Sequence, residues 1–339
     1  NTLTIHFFFS IFDLNYLPYA ITSIFLHLVN VALLFLLAKK IFKGIVLPLI
    51  VTTIFGISAS IYQATTWVLA DIGVHFATMF ALLCLITFFE FLNSRKQTLF
   101  WISILFLIIS LFYKEIAIGL FILLPISYFL FGSNKTKKYP SIILGICVIY
   151  LLIRVAMIFL PQSYTRDVLA TKSQSHQELA YNFLTYPFIA ISQSIIPTSS
   201  LLGLSYFIGS SLPEEITGDK DTTAYGQFVE KRVLMFVIIF ISFIVIEISI
   251  YFLRRSGNNF KKVSAFGLFL ILLNSPIFAL APERTGKITI IDSRNLYFIV
   301  IGTSFLLGCI LWSLKSTVFK AGLMFIFLAL NAYWLNMQI

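Results

Sequence analysis

The chain is short of charge and shorter still of continuous polar sequence. Asp, Glu, Lys and Arg together make up only 11% of its 339 residues, against 59% hydrophobic and 17% aromatic, and mean hydropathy is +0.96. Such a composition supplies too little polar surface for a water-soluble fold and makes lipid the solvent. Cysteine is nearly missing: Cys84, Cys147 and Cys309 all lie inside apolar runs, which argues against a disulfide framework or a zinc site and reads them as small buried hydrophobes. There is no internal repeat and no pair of Gly/Pro-interrupted spans in corresponding halves, which counts against a transporter built on inverted repeats.

Acid is scarce on one side of the chain. The breaks holding Lys39, Lys40 and Lys43, then Arg95 and Lys96, then Lys135, Lys137 and Lys138, then Arg254, Arg255, Lys261 and Lys262, then Lys315 and Lys320 have only Glu90 as a nearby counter-charge. The alternating breaks carry nearly all the acids, including Asp71, Glu115, Asp167, Glu178, Glu214, Glu215, Asp219, Asp221, Glu230, Glu283 and Asp292. This is the positive-inside pattern of a polytopic membrane protein. The net charge of +10 therefore reports topology and points to no nucleic-acid partner.

A span needs about 20 apolar residues, and runs near 18–38, 44–62, 72–92, 98–113, 116–132, 140–160, 233–253, 263–282, 295–313 and 320–338 give roughly ten. They are too long and too little alternating for barrel strands, so the expected fold is an all-α polytopic transmembrane helix bundle, residues 1–339 forming one integral membrane domain. With the basic breaks inside, 62–71, 113–116, 161–232 and 283–294 are external. Residues 1–17 read as the remnant of a first external loop, and the expectation is a fragment whose preceding helix and part of that loop are missing. Residues 161–232 form the one long break, expected to carry interfacial helices around Pro187, Pro197 and Gly203.

Charges in or at the mouth of spans are functional candidates by default, and four places qualify. Lys114 and Glu115 occupy an outer turn, where adjacent residues point in different directions and serve different partners. Asp71 and His75, four apart, share one helix face at the outer boundary and are placed to share a proton or a metal ion, against the simpler reading of His75 as a packed, hydrogen-bonded residue. Arg154 sits roughly 10 Å below the outer end of its span at 1.5 Å per residue and can snorkel outward to offer a fork to phosphate, or else satisfy carbonyls between helices. Arg294 and Tyr297, within Asp292 to Tyr297 and three apart, project toward one outer cavity, unless they are only an interfacial anchor.

Several stretches resemble one family. Tyr19 through Asn30, followed by Lys39, Lys40, Ile41 and Phe42, is similar to the Y-H-L-T-N-L-L-L-H-x-x-N helix of GT-C membrane glycosyltransferases, particularly the transmembrane protein O-mannosyltransferases bearing TPR repeats and their bacterial relatives. His27 and Asn30 match, while Ala20 and Ser23 replace the first His and Asn. Phe55 through Trp67 looks like the next helix and outer loop, with Gln63 where Glu is usual and Asp71 displaced from the usual acidic position. Lys114-Glu115-Ile116-Ala117 is similar to S-K-E-x-A, and Arg294-Asn295-Leu296-Tyr297 through Gly302 resembles R-Y-L-Y-L-P-S-x-G with Ile299 in place of proline.

The resemblance implies a GT-C-like fold and transfer of a sugar from a polyprenyl-phosphate donor to a protein, glycan or lipid acceptor on the outer face of the membrane. A carboxylate would deprotonate the acceptor hydroxyl, attack would invert the anomeric carbon, and cations would stabilise the departing phosphate. On this reading Asp71 and Glu115 are the catalytic carboxylates, and Lys114, Arg294, Tyr297, Arg154, His27 and Asn30 bind substrate or phosphate. The family's own acidic loop is expected upstream of this chain. No cofactor is fixed by the sequence, a divalent cation is compatible with the chemistry, and no residue set reads as a metal site. The expected location is a multi-pass position in a bacterial plasma membrane, or in the ER membrane of a eukaryote. The rivals are a flippase or transporter of lipid-linked substrates and a non-catalytic membrane scaffold.

Overall fold

The structure, a computed structural model, describes residues 2–13, 15–42, 44–66, 68–132, 136–158, 175–212, 220–222, 228–255, 257–280 and 290–338. Nearly all of them are helical. The helices are α1 (Thr2–Phe12), α2 (Tyr16–Ile41), α3 (Val46–Gly56), α4 (Tyr62–Thr66), α5 (Val68–Ser94), α6 (Gln97–Tyr113), α7 (Leu120–Phe131), α8 (Lys138–Ile158), α9 (His176–Gln193), α10 (Thr198–Gly209), α11 (Lys231–Arg255), α12 (Asn258–Asn274), α13 (Ile299–Ser313) and α14 (Thr317–Gln338). Short 3-10 turns lie at Ala59–Ile61, Glu115–Ala117, Pro276–Leu280 and Ser293–Leu296, and one antiparallel ribbon pairs Lys220–Thr222 with Phe228–Glu230.

Among the described residues, six helices are long and apolar enough to cross a membrane: Tyr16–Ile41, Ile72–Ser94, Lys138–Ala156, Arg232–Phe252, Asn258–Ala279 and Thr317–Asn336. The protein is an all-α integral membrane protein. The other four apolar runs are also helical but shorter, at Val46–Gly56, Gln97–Tyr113, Glu115–Phe131 and Ile299–Ser313. Length alone therefore gives six crossings among the described residues, or seven if the bent pair Leu179–Gln193 and Thr198–Gly209 is one span, and does not reach the roughly ten expected. Hydropathy counts apolar residues wherever they are buried, and a helix walled in by protein need not match the bilayer thickness. α13 shows the effect, with Ile299 through Leu306, Gly308 and Cys309 all buried.

Two glycines set how tightly α13 is held. A Cβ on Gly302 would lie 2.5 Å from the Gly267 carbonyl oxygen, and one on Gly267 would lie 2.6 Å from the Gly302 carbonyl oxygen. α12 and α13 thus cross backbone to backbone, as small residues allow in membranes. α3 closes the other side of α13 near Gly308, where a Cβ would sit 2.7 Å from Val51. α8 and α14, by contrast, turn apolar side chains such as Leu152 and Phe325 outward, as lipid-facing helices do.

Helix ends follow local chemistry. Asn15 caps α2 by accepting from the Leu17 amide, and Lys39 and Lys40 close its last turn, where cations meet the negative end of the helix dipole. Lys40 also pairs with Glu90, the one acid read as a counter-charge to the basic breaks. Within the stretch read as loop remnant, Thr2–Phe12 is helical and lays Phe8 and Phe12 against Tyr19.

The central part of 161–232 is a helix pair bent by 102° between Leu179–Gln193 and Thr198–Gly209. Pro197 has no N–H to continue the ladder, and the residue before a proline avoids helical backbone, so the turn falls there. The pair is docked into the bundle: Ser242 donates to the Phe188 carbonyl at 2.6 Å, Thr303 to Ser194 at 2.7 Å, and Tyr186, Ile189 and Ala190 are buried. Asp167, Glu214, Glu215 and Asp219 lie outside the described residues, as do Glu283, Arg284 and Lys287.

Candidate functional site

At the end of the bundle opposite Lys40 and Glu90, long helices give way to short turns. α6 stops at Tyr113, and the Lys114 amide closes it on the Ser110 carbonyl at 3.1 Å. The following turn is pinned to α12: the Gly119 amide donates to the Asn274 side-chain oxygen at 3.0 Å, and a Cβ at Gly119 would stand 2.5 Å from the Leu273 carbonyl oxygen. Gln193, at the bend after α9, grips both backbone groups of Ile291, accepting from its amide at 2.8 Å and donating to its carbonyl at 3.3 Å. These two buried amides fix the turn that carries Lys114 and the segment that carries Asp292.

Between them stand charged side chains. The Lys114 ammonium donates to the Asn295 side-chain oxygen at 2.7 Å. Glu115 turns the other way and pairs with Arg154, so the two adjacent residues do serve different partners. Arg294 folds back on Asp292 at 3.2 Å, with side chains 24% and 21% exposed. Arg154–Glu115, Lys114–Asn295 and Arg294–Asp292 are thus three polar pairs drawn from α8, the α6–α7 turn and the segment before α13, and the charge of Lys114 also acts on Asp292. Burial pushes the Asp292 carboxyl above the ordinary carboxylate value, opposed by the positive charges of Arg294 and Lys114. Tyr150, one turn before Arg154 on α8, has a buried hydroxyl without a hydrogen-bond partner among the described residues.

A second, uncharged node lies deeper. The Gly56 carbonyl can only accept, so His27 carries its proton on Nε2 and donates there at 3.1 Å, leaving Nδ1 to accept from the Tyr297 hydroxyl at 2.7 Å. Asn30 donates to the His75 carbonyl at 3.1 Å and to the Tyr297 oxygen at 3.4 Å. His75 donates from Nε2 to the Ala64 carbonyl at 2.7 Å beside Ser23. Tyr297, Asn30, Ser23 and His75 are buried, and the Tyr297 ring packs edge-on against His75 and Phe55. This node ties α2 and α5 to the end of the 3-10 turn that precedes α13.

The residues singled out in the sequence thus separate into two groups. Lys114, Glu115, Arg154 and Arg294 stand in the polar pairs at the charged end. His27, Asn30 and Tyr297 meet in the buried node, where they hold one another in place. Asp71 is on α5 one turn before His75, but its side chain lies outside the described residues. Among the described residues, no three His, Cys, Asp or Glu side chains are grouped to hold a metal ion.

Asp292, Asn295, Gln193 and Asn274 were not picked out as site residues. A lone amide in an apolar helix was the available signal for the last two, because an unpaired amide in lipid is as much in need of explanation as a charge. The chain matches no protein-family model, no curated protein and no solved structure.

Proposed function

We propose that this is a membrane glycosyltransferase of GT-C type, moving a sugar from a polyprenyl-phosphate carrier to an acceptor at the face opposite the basic breaks. One observation carries the reading: Lys114, Arg154 and Arg294, far apart in sequence, each stand in a polar pair at that end of the bundle. Cations held there can take up the charge that develops on a phosphate as the anomeric carbon–oxygen bond breaks, and the planar fork of Arg294 suits two phosphate oxygens at once. The buried node of His27, Asn30 and Tyr297 sets the depth and tilt of the segment bearing Arg294. The full count of about ten crossings belongs to this reading, with the four shorter helices crossing as well and α13 sheltered inside the bundle, and so does a position in a bacterial plasma membrane.

The test is selective donor capture. Protein in lipid nanodiscs should retain polyprenyl-phosphate mannose, used as the probe donor, at least about tenfold better than the neutral polyprenol of the same length. Equal retention of the two would remove the phosphate site. A second reading, a transporter of lipid-linked substrates, is favoured by the 102° break between α9 and α10, since broken helices commonly form transporter sites. Movement of a labelled lipid-linked sugar across a proteoliposome membrane, with no sugar transfer, would select it.

A further inference from the structure

We propose that α13 and α14 frame a cleft that holds one phospholipid of the leaflet on the basic side, with its anionic headgroup on Lys315 and Lys320 and an acyl chain between the two helices. The cleft opens at the end of the bundle away from the Lys114 turn and stands whether or not the glycosyltransferase reading holds.

Residues 314–316 join the two helices, and so short a link normally packs antiparallel neighbours together. Yet only 6% of the α14 span is buried, against 56% for α12. α14 is fastened near both ends. At its foot the Lys320 ammonium lies 4.8 Å from the centre of the Trp312 ring. Higher up, the buried Asn331 side chain accepts from the Ala59 amide at 2.8 Å and donates to the Phe327 carbonyl at 2.9 Å. Between these points Leu323, Phe327 and Leu328 make one stripe that is only half-buried. α13 carries a matching stripe. Gly302 faces α12 and Gly308 faces α3, which leaves Leu307, Ile310 and Leu314 half-buried on its third side.

Charge and length select the occupant. Both stripes are wholly apolar, so what lies against them is hydrocarbon. Lys315 and Lys320 stand at the mouth, and among the described residues neither pairs with an acid. No Asp or Glu follows Asp292 in the sequence. Their counter-charge therefore comes from outside the chain, and basic residues beside a cleft between membrane helices suit an anionic headgroup. The rise from Lys320 to Asn331 is roughly 16 Å at 1.5 Å per residue, close to half of a hydrocarbon core about 30 Å thick. One acyl chain of a single leaflet thus spans the cleft from its mouth to the Asn331 bond. A helix from a second copy, about 10 Å across, is shut out where Trp312 and Ala59 close the two ends, and a polyprenyl chain is far longer than one leaflet.

The experiment places the whole chain in nanodiscs with phosphatidylglycerol carrying a photoreactive diazirine on one acyl chain, or with phosphatidylcholine carrying the same chain. Cross-linked peptides should map to 307–314 and 323–328, with about tenfold more product from phosphatidylglycerol. Lys315→Gln combined with Lys320→Gln should abolish that preference, and Lys315→Arg with Lys320→Arg, which keeps both charges, should retain it. Lys137→Gln with Lys138→Gln alters another basic break and should leave it unchanged, which separates a site from the general attraction of the basic face. Equal product from the two lipids in wild type, or a preference that survives the loss of both lysines, overturns the proposal. So does labelling no stronger in the cleft than at the outward-facing Phe325. Competition by polyprenyl phosphate but not by unlabelled phosphatidylglycerol would give the cleft to the carrier lipid, and a dimeric chain with no lipid adduct in these stretches would give it to a second copy; either result also overturns it.

Discussion

Arg294 and Lys are both cationic and both able to snorkel, so exchanging them separates two roles. If the guanidinium fork holds a lipid phosphate, Arg294→Lys keeps the charge, loses the paired hydrogen bonds and should reduce kcat and kcat/KM by about 10²-fold, by analogy with loss of one oxyanion donor. An interfacial anchor would tolerate the change, and matched rates for equal amounts of folded protein would show it. Asp292 gives the pH dependence. The charged groups acting on it are Arg294 on its own segment and Lys114 from the α6–α7 turn. Its raised value means that the folded state holds the proton to a higher pH than the unfolded chain. The stability this group contributes is therefore present at low pH and lost as pH rises through the folded value. Asp292→Asn should remove that fall from the melting temperature measured against pH in detergent, and a fall unmoved by the substitution would assign it to another group. At this scale the sequence showed which residues are chemically costly in lipid but not how they pair. The grouping of Lys114 with Asn295, and of His27 with Tyr297, depends on contacts between residues far apart in the chain.

Helices were the most legible level, because a run of apolar residues in lipid must satisfy its own backbone hydrogen bonds. Each of the ten apolar runs contains a helix among the described residues. What the runs did not display was helix length, since Phe55 and Gly56 end α3 within a run that continues to Ile61 in a 3-10 turn. The bend after Gln193 was half visible in Pro197, whereas its docking through Ser194 and Thr303 was not. Two elements make measurable predictions. Gly302→Val should force α12 and α13 apart, destabilising the protein by about 1–3 kcal/mol as overpacking does, read as a lower melting temperature in detergent. Unchanged melting would mean that the crossing is loose. Gly119→Ala would place a methyl group against the Leu273 carbonyl and shift the Lys114 turn. Donor binding should weaken there even where the melting temperature holds within a few degrees, and intact binding would show that the turn is not tied to the site.

For the whole molecule, charge segregation and structure describe the same axis. Lys40 and Glu90 pair at one end, and Lys114, Glu115, Arg154, Asp292 and Arg294 gather at the other. Exposed apolar side chains on α8 and α14 give the bundle a surface that only lipid or another apolar partner can cover. The central claim is that the charged end faces outward and receives a lipid-borne phosphate. One measurement addresses both halves of it. Glu115→Cys, in a background with Cys84, Cys147 and Cys309 replaced by alanine, is treated in sealed, outward-facing vesicles with a membrane-impermeant maleimide. The account predicts labelling without permeabilisation, and protection when polyprenyl-phosphate mannose is added but not when polyprenol is. Labelling only after permeabilisation, or protection equal for both lipids, would contradict it.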